Sequence, residues 1–329
     1  MSQYTFTTRE YGPNAKGEPL NFEDLDYSLL FLSESINELA ASSSSYIPLS
    51  GSNYLIVPAT GNPSVNALAF SASYALAKTL SPSATNRIAV LAYPGKYTFS
   101  SDFTLDTEYI DVVSITGERD IYVTGSGTII IGNDNMLVRG IDVDVKNFTM
   151  TGSLQFVTLK NCKGGDESFG GAPTPQPGIP FPGYTMASTF IDCEGGNRSF
   201  AGYGSAYGTF INCVGGDNSF GDFCNGTFID CIGGDYSFGY TYNIEGGIIE
   251  NCTAGIDSFA PNGNIQSPSI LKNCTGGQNS FAQGLGTITG LLTGCQLTSG
   301  FFNTANVDNI NGGKLVNCVN SDNSITTFP

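Results

Sequence analysis

The sequence predicts an all-β protein, a right-handed, single-stranded parallel β-helix with a short helical segment at its N-terminal side. Three observations carry this reading. A frame of Asn/Asp-Cys, Gly-Gly and Ser-Phe recurs through the C-terminal half and holds eight of the nine cysteines. Large apolar residues stand at fixed distances from each of those cysteines. The 42 glycines, with abundant Asn, Ser and Thr, supply the turns that many short strands require. Successive cysteines are 18 to 23 residues apart, except for a 31-residue step between Cys162 and Cys193, and so short a period means a solenoid.

In chain order, residues 1–20 read as an N-terminal arm and 21–41 as a helical, coiled-coil-like docking segment. Phe22, Leu25, Leu29, Leu32, Ile36 and Leu39 are spaced three, four, three, four, three, a short heptad seam. The seam is too short for a stable isolated coiled coil. Tyr27, Leu30 and Phe31 widen the apolar stripe, so a homotrimer or a partner protein covers it better than a two-stranded seam; packing on its own chain is the alternative. Residues 42–62, opening with four serines, read as a linker.

The β-helix is expected over 63–329. It opens with a capping helix at 65–80, whose face is read as Val65, Leu68, Ala69, Ala72, Leu76 and Leu80. Such a helix would shield the open end of the stack from edge-to-edge aggregation. Strands follow at Ile88–Tyr97, Val112–Ile115, Ile121–Val123, Thr128–Ile131 and Met136–Val143, and regular coils occupy 154–329. Three residues before each cysteine stands Leu159, Phe190, Phe210, Phe228, Ile249, Leu271, Leu292 or Leu315. Seven after it stands Phe169, Phe200, Phe220, Phe238, Phe259, Phe281 or Phe302, with Ile325 closing the series. Both columns are assigned to the interior. The residue before Cys is Asn or Asp in seven coils, a type that tolerates left-handed backbone at a corner and can bond from coil to coil. The Gly-Gly after it is read as the next bend. The cysteines themselves read as small, buried corner residues.

Asn66 with its Ala-rich helix, Tyr93-Pro94-Gly95-Lys96-Tyr97, and the short strands around Gly117 and Gly140 resemble the opening of the pectate-lyase-like superfamily of right-handed β-helices, over residues 62 to 160. The Cys-Gly-Gly-x-x-Ser-Phe coils are similar to repeats of phage and other viral fibre proteins. Lys16-Gly17-Glu18-Pro19-Leu20, followed by an acidic helix start at Glu23-Asp24, resembles a motif near the N termini of phage tail-fibre and tail-spike proteins, with Asn21 in place of its Thr. The resemblance implies a homotrimeric virion protein that docks to a tail or baseplate protein through its N-terminal segment. It also implies binding to a host-surface receptor such as a glycan, or, in the other branch, a polysaccharide lyase or glycoside hydrolase.

Composition narrows the partners. A net charge of −16 with only 13 Lys plus Arg argues against binding nucleic acid through phosphates. Neither a basic n-region with an apolar core nor an apolar run of ~20 residues is found, which predicts folding in the host cytoplasm without membrane insertion. An odd number of cysteines in that setting is a poor disulfide framework. No histidine occurs, which removes Ser-His-Asp and Cys-His mechanisms and His-ligated metals.

Candidate sites are therefore few. Asp142 and Asp144 with Arg139 are the catalytic candidates, two carboxylates being the minimum for glycoside hydrolysis. Arg139 and Asp142 fall on opposite faces if their strand is regular; alternating charges on a solvated strand are the plainer reading. The turn column Asp166, Asp217 and Asp235 could offer oxygen ligands to calcium, against the alternative of solvated turn residues. No other cofactor is implied. For carbohydrate the candidates are Tyr203, Tyr207, Phe223, Tyr240 and Tyr242 with Asp222 and Asn225, aromatic faces beside polar groups. Ile191, Ile211 and Ile229, two residues before consecutive cysteines, form an outward apolar stripe assigned to the trimer interface, the alternative being cover by the chain's own proline-rich loop at 172–183.

Overall fold

The computed structural model describes residues 53–143, 148–150, 156–169, 184–185, 188–201, 204–240, 242–284 and 286–328. The N-terminal arm, the segment 21–41 with Leu25, Leu29, Leu32, Ile36 and Leu39, and the loop 172–183 lie outside them. Over the described residues the chain is a parallel β-solenoid. Its 15-stranded principal sheet begins at Tyr54–Val57, inside the stretch read as linker, and runs through Ile88–Ala92, Ile110–Ser114, Leu137–Arg139 and Thr158–Lys160. It continues through the Thr-Phe-Ile strands at 189, 209 and 227 to Lys314–Val319. Each strand pairs in register with its counterpart one coil away: Phe190 lies beside Phe210, and Phe210 beside Phe228. Two further columns of shorter strands and bridges complete each coil. A final antiparallel strand, Ile325–Phe328, folds back on Lys314–Val319 and closes the C-terminal end.

Register turns the repeat into ladders. The column three residues before Cys is fully buried from Leu159 to Leu315, as are all nine cysteines. Phe169, Phe200, Phe220, Phe238, Phe259 and Phe281 form one stack of rings, 4.7–5.0 Å between centroids and within 17° of parallel. Phe190, Phe210 and Phe228 form a second stack at 4.8–4.9 Å. The two meet edge to face at 5.5–6.0 Å, the arrangement ring quadrupoles favour. Ile325 is no member of the column: it belongs to the closing strand and is 67% exposed.

Corners are set by left-handed residues. Asn161, Asp192, Asn212, Asp230, Asn251, Asn273 and Asn317 all have φ between 51° and 56°, and Gly294 takes the same place in the coil of Cys295. Asn212 donates to Asp192 Oδ1 at 2.9 Å and Asn251 to Asp230 Oδ1 at 3.0 Å, so this corner is also a side-chain ladder. The six stacked phenylalanines themselves adopt φ of 53–63°. A bulky residue there is disfavoured by ~1–2 kcal/mol; full burial and ring stacking outweigh that.

The Gly-Gly pair is not needed for backbone freedom, since none of these glycines has positive φ. Space is the reason. A Cβ at Gly215 would lie 2.5 Å from the Ser219 side chain, and one at Gly216 would lie 2.3 Å from Asn197 Oδ1 of the preceding coil. The serine fills the room so left: Ser168, Ser199 and Ser219 are fully buried, and Ser199 Oγ donates to Gly196 O at 2.8 Å.

Helix α1, Pro63–Thr79, is capped by Asn62, whose side chain accepts from the backbone of Ser64 and Val65. Its inward face is Asn66, Ala67, Phe70, Tyr74 and Ala77, not the predicted one; Val65, Leu68, Ala72, Leu76 and Leu80 are exposed and Ala69 is half-buried. Phe70 contacts Tyr97, Phe99 and Phe103 edge-on, and these aromatic contacts decide the rotation of the helix.

Two outcomes are expected. Replacing Phe238 by Ala removes a ring from the middle of the stack and should cost ~3–5 kcal/mol, with hydrogen-exchange protection lost first in the adjoining coils. Burial pushes the Cys162 and Cys213 thiols well above the usual range. All nine cysteines are free and buried, so alkylation of the native protein should leave them unmodified, and alkylation after denaturation without reductant should label all nine.

Candidate functional site

The aromatic candidates lie on and beside the third column of strands, at Ser205–Ala206, Phe223–Cys224, Ile244–Glu245 and Ile265–Gln266. Ala206, Cys224, Ile244 and Ile265 are fully buried. Alternation then points Phe223, Asn225 and Glu245 outward. Tyr207 follows the Ala206–Cys224 pair, one coil before Asn225, and is 39% exposed.

The loop before the Ile244 strand brings Tyr242 back over the preceding coil, where its ring stacks on Phe223 at 4.5 Å and 8°. Tyr236 and Tyr240 pair edge to face at 4.7 Å in the same coil. Asn225 Oδ1 accepts from Glu245 N at 3.0 Å, and Asn243 Oδ1 accepts from Asn264 N at 2.8 Å, so these amides link coils. Asn243 Nδ2 donates to Glu245 Oε1 at 2.7 Å, fixing that carboxylate on the aromatic face. A half-buried ring stack beside an oriented carboxylate and amides can hold a sugar ring by contact and its hydroxyls by hydrogen bonds.

The sequence reading misses Glu245, although the buried Ile244 beside it announces an outward neighbour. Asp222, expected on the rim, is 7% exposed and belongs to the interior of its turn. Tyr203 lies outside the described residues.

The other candidates are placed as follows. Asp166 Oδ1 accepts from Asn197 N at 2.8 Å, Asn197 from Asp217, Asp217 from Asp235, and Asp235 from Ile256, each at 2.9 Å after the first. The column is thus a coil-to-coil ladder. Among the described residues no group of three or more His, Cys, Asp or Glu is placed to hold a metal ion.

Arg139 and Asp142 do not share one regular strand. Gly140, at φ 82°, turns a corner between Leu137–Arg139 and Ile141–Val143, and both charged side chains face outward on adjoining faces. Arg139 Nε donates to Gly117 O at 2.8 Å, tying down the 116–120 turn. Asp144 lies outside the described residues.

Ile191, Ile211 and Ile229 are outward and half-buried, stacked in register between Lys160 and Glu250. Glu250 pairs with Lys272 on the next coil at 2.6 Å. Exposed Ile248 and Ile270 stand in the neighbouring column of the same sheet face.

Comparison with protein-family models, curated proteins and solved structures finds no match.

The turn ladder gives a test. Asp217→Ala removes an acceptor from Asp235 N–H and should lower stability by ~0.5–1.5 kcal/mol, whereas Asp217→Asn keeps an Oδ1 and should unfold within a few tenths of wild type. Thermal melts with and without calcium check this; an Asn variant as weak as the Ala one would mean that the charge itself is used.

Proposed function

We propose that this chain is a structural protein of a virion tail, a fibre or spike, whose solenoid presents the Phe223–Tyr242 face to a glycan on the host surface. The observation that carries this reading is the stacked ring pair with Tyr207, Glu245 and the Asn225 and Asn243 amides around it. Each polar member is held by a bond to its own or the next coil, so the surface is preformed and little ordering entropy opposes binding. A stack of coils locked by in-register ladders is a stiff element, which suits a protein that must hold a receptor at a distance.

Assembly is the second part of the proposal. The strip of Ile191, Ile211 and Ile229 is regular and free of charge between Lys160 and Glu250, and Ile248 and Ile270 stand in the neighbouring column of the same face. Burial against a second and third copy of the chain accounts for an apolar strip on a molecule of net charge −16. The N-terminal segment would dock the assembly to a tail or baseplate protein, and polypeptide assembly would take place in the host cytoplasm.

Two measurements test these parts separately. Tyr242→Ala should abolish retention on host-surface polysaccharide, a loss of about tenfold or more in affinity, and leave the β-type circular dichroism spectrum in place. Ile211→Asp should reduce a trimer to monomers in sedimentation with the fold intact; a variant that stays trimeric would place the interface elsewhere. Incubation of the wild type with the same polysaccharide, followed for new reducing ends or unsaturated uronates, separates binding from cleavage.

A further inference from the structure

The distribution of charge around the aromatic face goes further than the sugar-binding reading on which it rests. Between Lys163 and Lys272 the sequence holds a single cation, Arg198. Over the same stretch it holds Asp166, Glu167, Asp192, Glu194, Asp217, Asp222, Asp230, Asp235, Glu245, Glu250 and Asp257. In a solenoid, spatial neighbours come from adjoining coils, so a run of coils with a single cation is also a surface poor in them.

The one cation inside the run and the two that bound it are already engaged: Lys163 pairs with Glu194 at 2.7 Å. Arg198 pairs with Glu167 at 2.6 Å, and Lys272 pairs with Glu250 at 2.6 Å on the principal sheet, a different face from the ring stack. On the aromatic face the carboxylate among the described residues is Glu245, whose Oε1 accepts from Asn243 Nδ2 at 2.7 Å.

We propose that the aromatic face recognises a sugar without negative charge, with Glu245 accepting hydrogen bonds from its hydroxyls. A carboxylate is a strong acceptor for hydroxyl donors, and the ring stack supplies the apolar contact. A uronate, sialate or sulfated sugar needs an Arg fork or Lys ammonium, and here it would meet a carboxylate instead. The field of a chain at −16 repels polyanions before contact.

The experiment applies the full-length protein to an array of immobilised glycans that spans neutral, N-acetylated, uronate-bearing, sialylated and sulfated members. Affinity is then measured for the best neutral ligand and for the same ligand carrying a carboxylate. Binding should be confined to uncharged sugars. The carboxylated form should bind about tenfold or more weakly at about 0.05 M salt, with the gap narrowing toward 1 M salt, where the Debye length is ~3 Å. Glu245→Gln should weaken the neutral ligand and narrow the gap, while Glu250→Gln, on the other face, should change neither. An array that favours acidic sugars, with binding lost in Tyr242→Ala, overturns the proposal and leaves the sugar-binding reading standing. An array with no ligand at all overturns both.

Discussion

Everything in this molecule follows from stacking like upon like. Parallel coils in register repeat at ~4.8 Å, so each side chain has its own counterpart above and below. A residue type can recur in a column only if it tolerates itself at that distance. Phenyl rings do, and they stack at 4.7–5.0 Å. Thiols do, because they are small and their S–H can reach the carbonyl one coil earlier, as Cys213 reaches Phe190 O at 3.5 Å. Side-chain oxygens do when each accepts from the next coil, as Asp166, Asn197 and Asp217 show.

The same constraint explains which deviations are tolerated. A column can absorb a strained residue if the strain is repeated and the burial is complete, which is how six phenylalanines come to occupy left-handed backbone. It cannot absorb an extra Cβ where two coils nearly touch, and Gly216 over Asn197 is such a point. Variation is therefore pushed to the segments between the Phe column and the third strand column. There the loops differ in length and composition, and there half-buried Tyr240 and exposed Tyr242 lie. Rigid ladders and variable loops are two results of one geometry.

Legibility from the sequence follows the same division. The interior columns from Leu159 onward could be read because strict period fixes direction, and every member but Ile325, where the chain turns back into the closing strand, is buried. Helix α1 could be located but not oriented. Its apolar residues run round both sides, and counting aliphatic spacing favoured Val65, Leu68 and Leu76 over Phe70 and Tyr74, which have aromatic partners on the first coils. The Gly-Gly pair was located correctly and explained wrongly, because a backbone preference is visible in one chain and a close approach between coils is not. Gly140 broke a strand whose charged residues had been placed by alternation. Asp222 and Glu245 exchanged roles for a similar reason: burial of a carboxylate in a turn depends on the loop path, which no period governs.

A residual question is whether the scarcity of cations around the aromatic face is itself a product of stacking. Like charges in a column repel, so any repeated charge is disfavoured there, and a charge-poor solenoid needs no ligand to explain it. Two facts separate the explanations. The penalty does not depend on sign, and stacked cations are in fact accepted elsewhere, since Arg139 lies in register beside Lys160 on neighbouring coils. Burial and that arginine together lower the Lys160 pKa, a measure of the discomfort the fold accepts. Outside the ladders, in the loops where Asp222, Tyr240 and Tyr242 sit, no register is enforced and either sign would be admissible. The one charged residue of those loops, Asp222, is an acid. Stacking accounts for how few charges the coils carry, and it leaves the excess of eleven acids over one cation between Lys163 and Lys272 to be explained by what the surface meets.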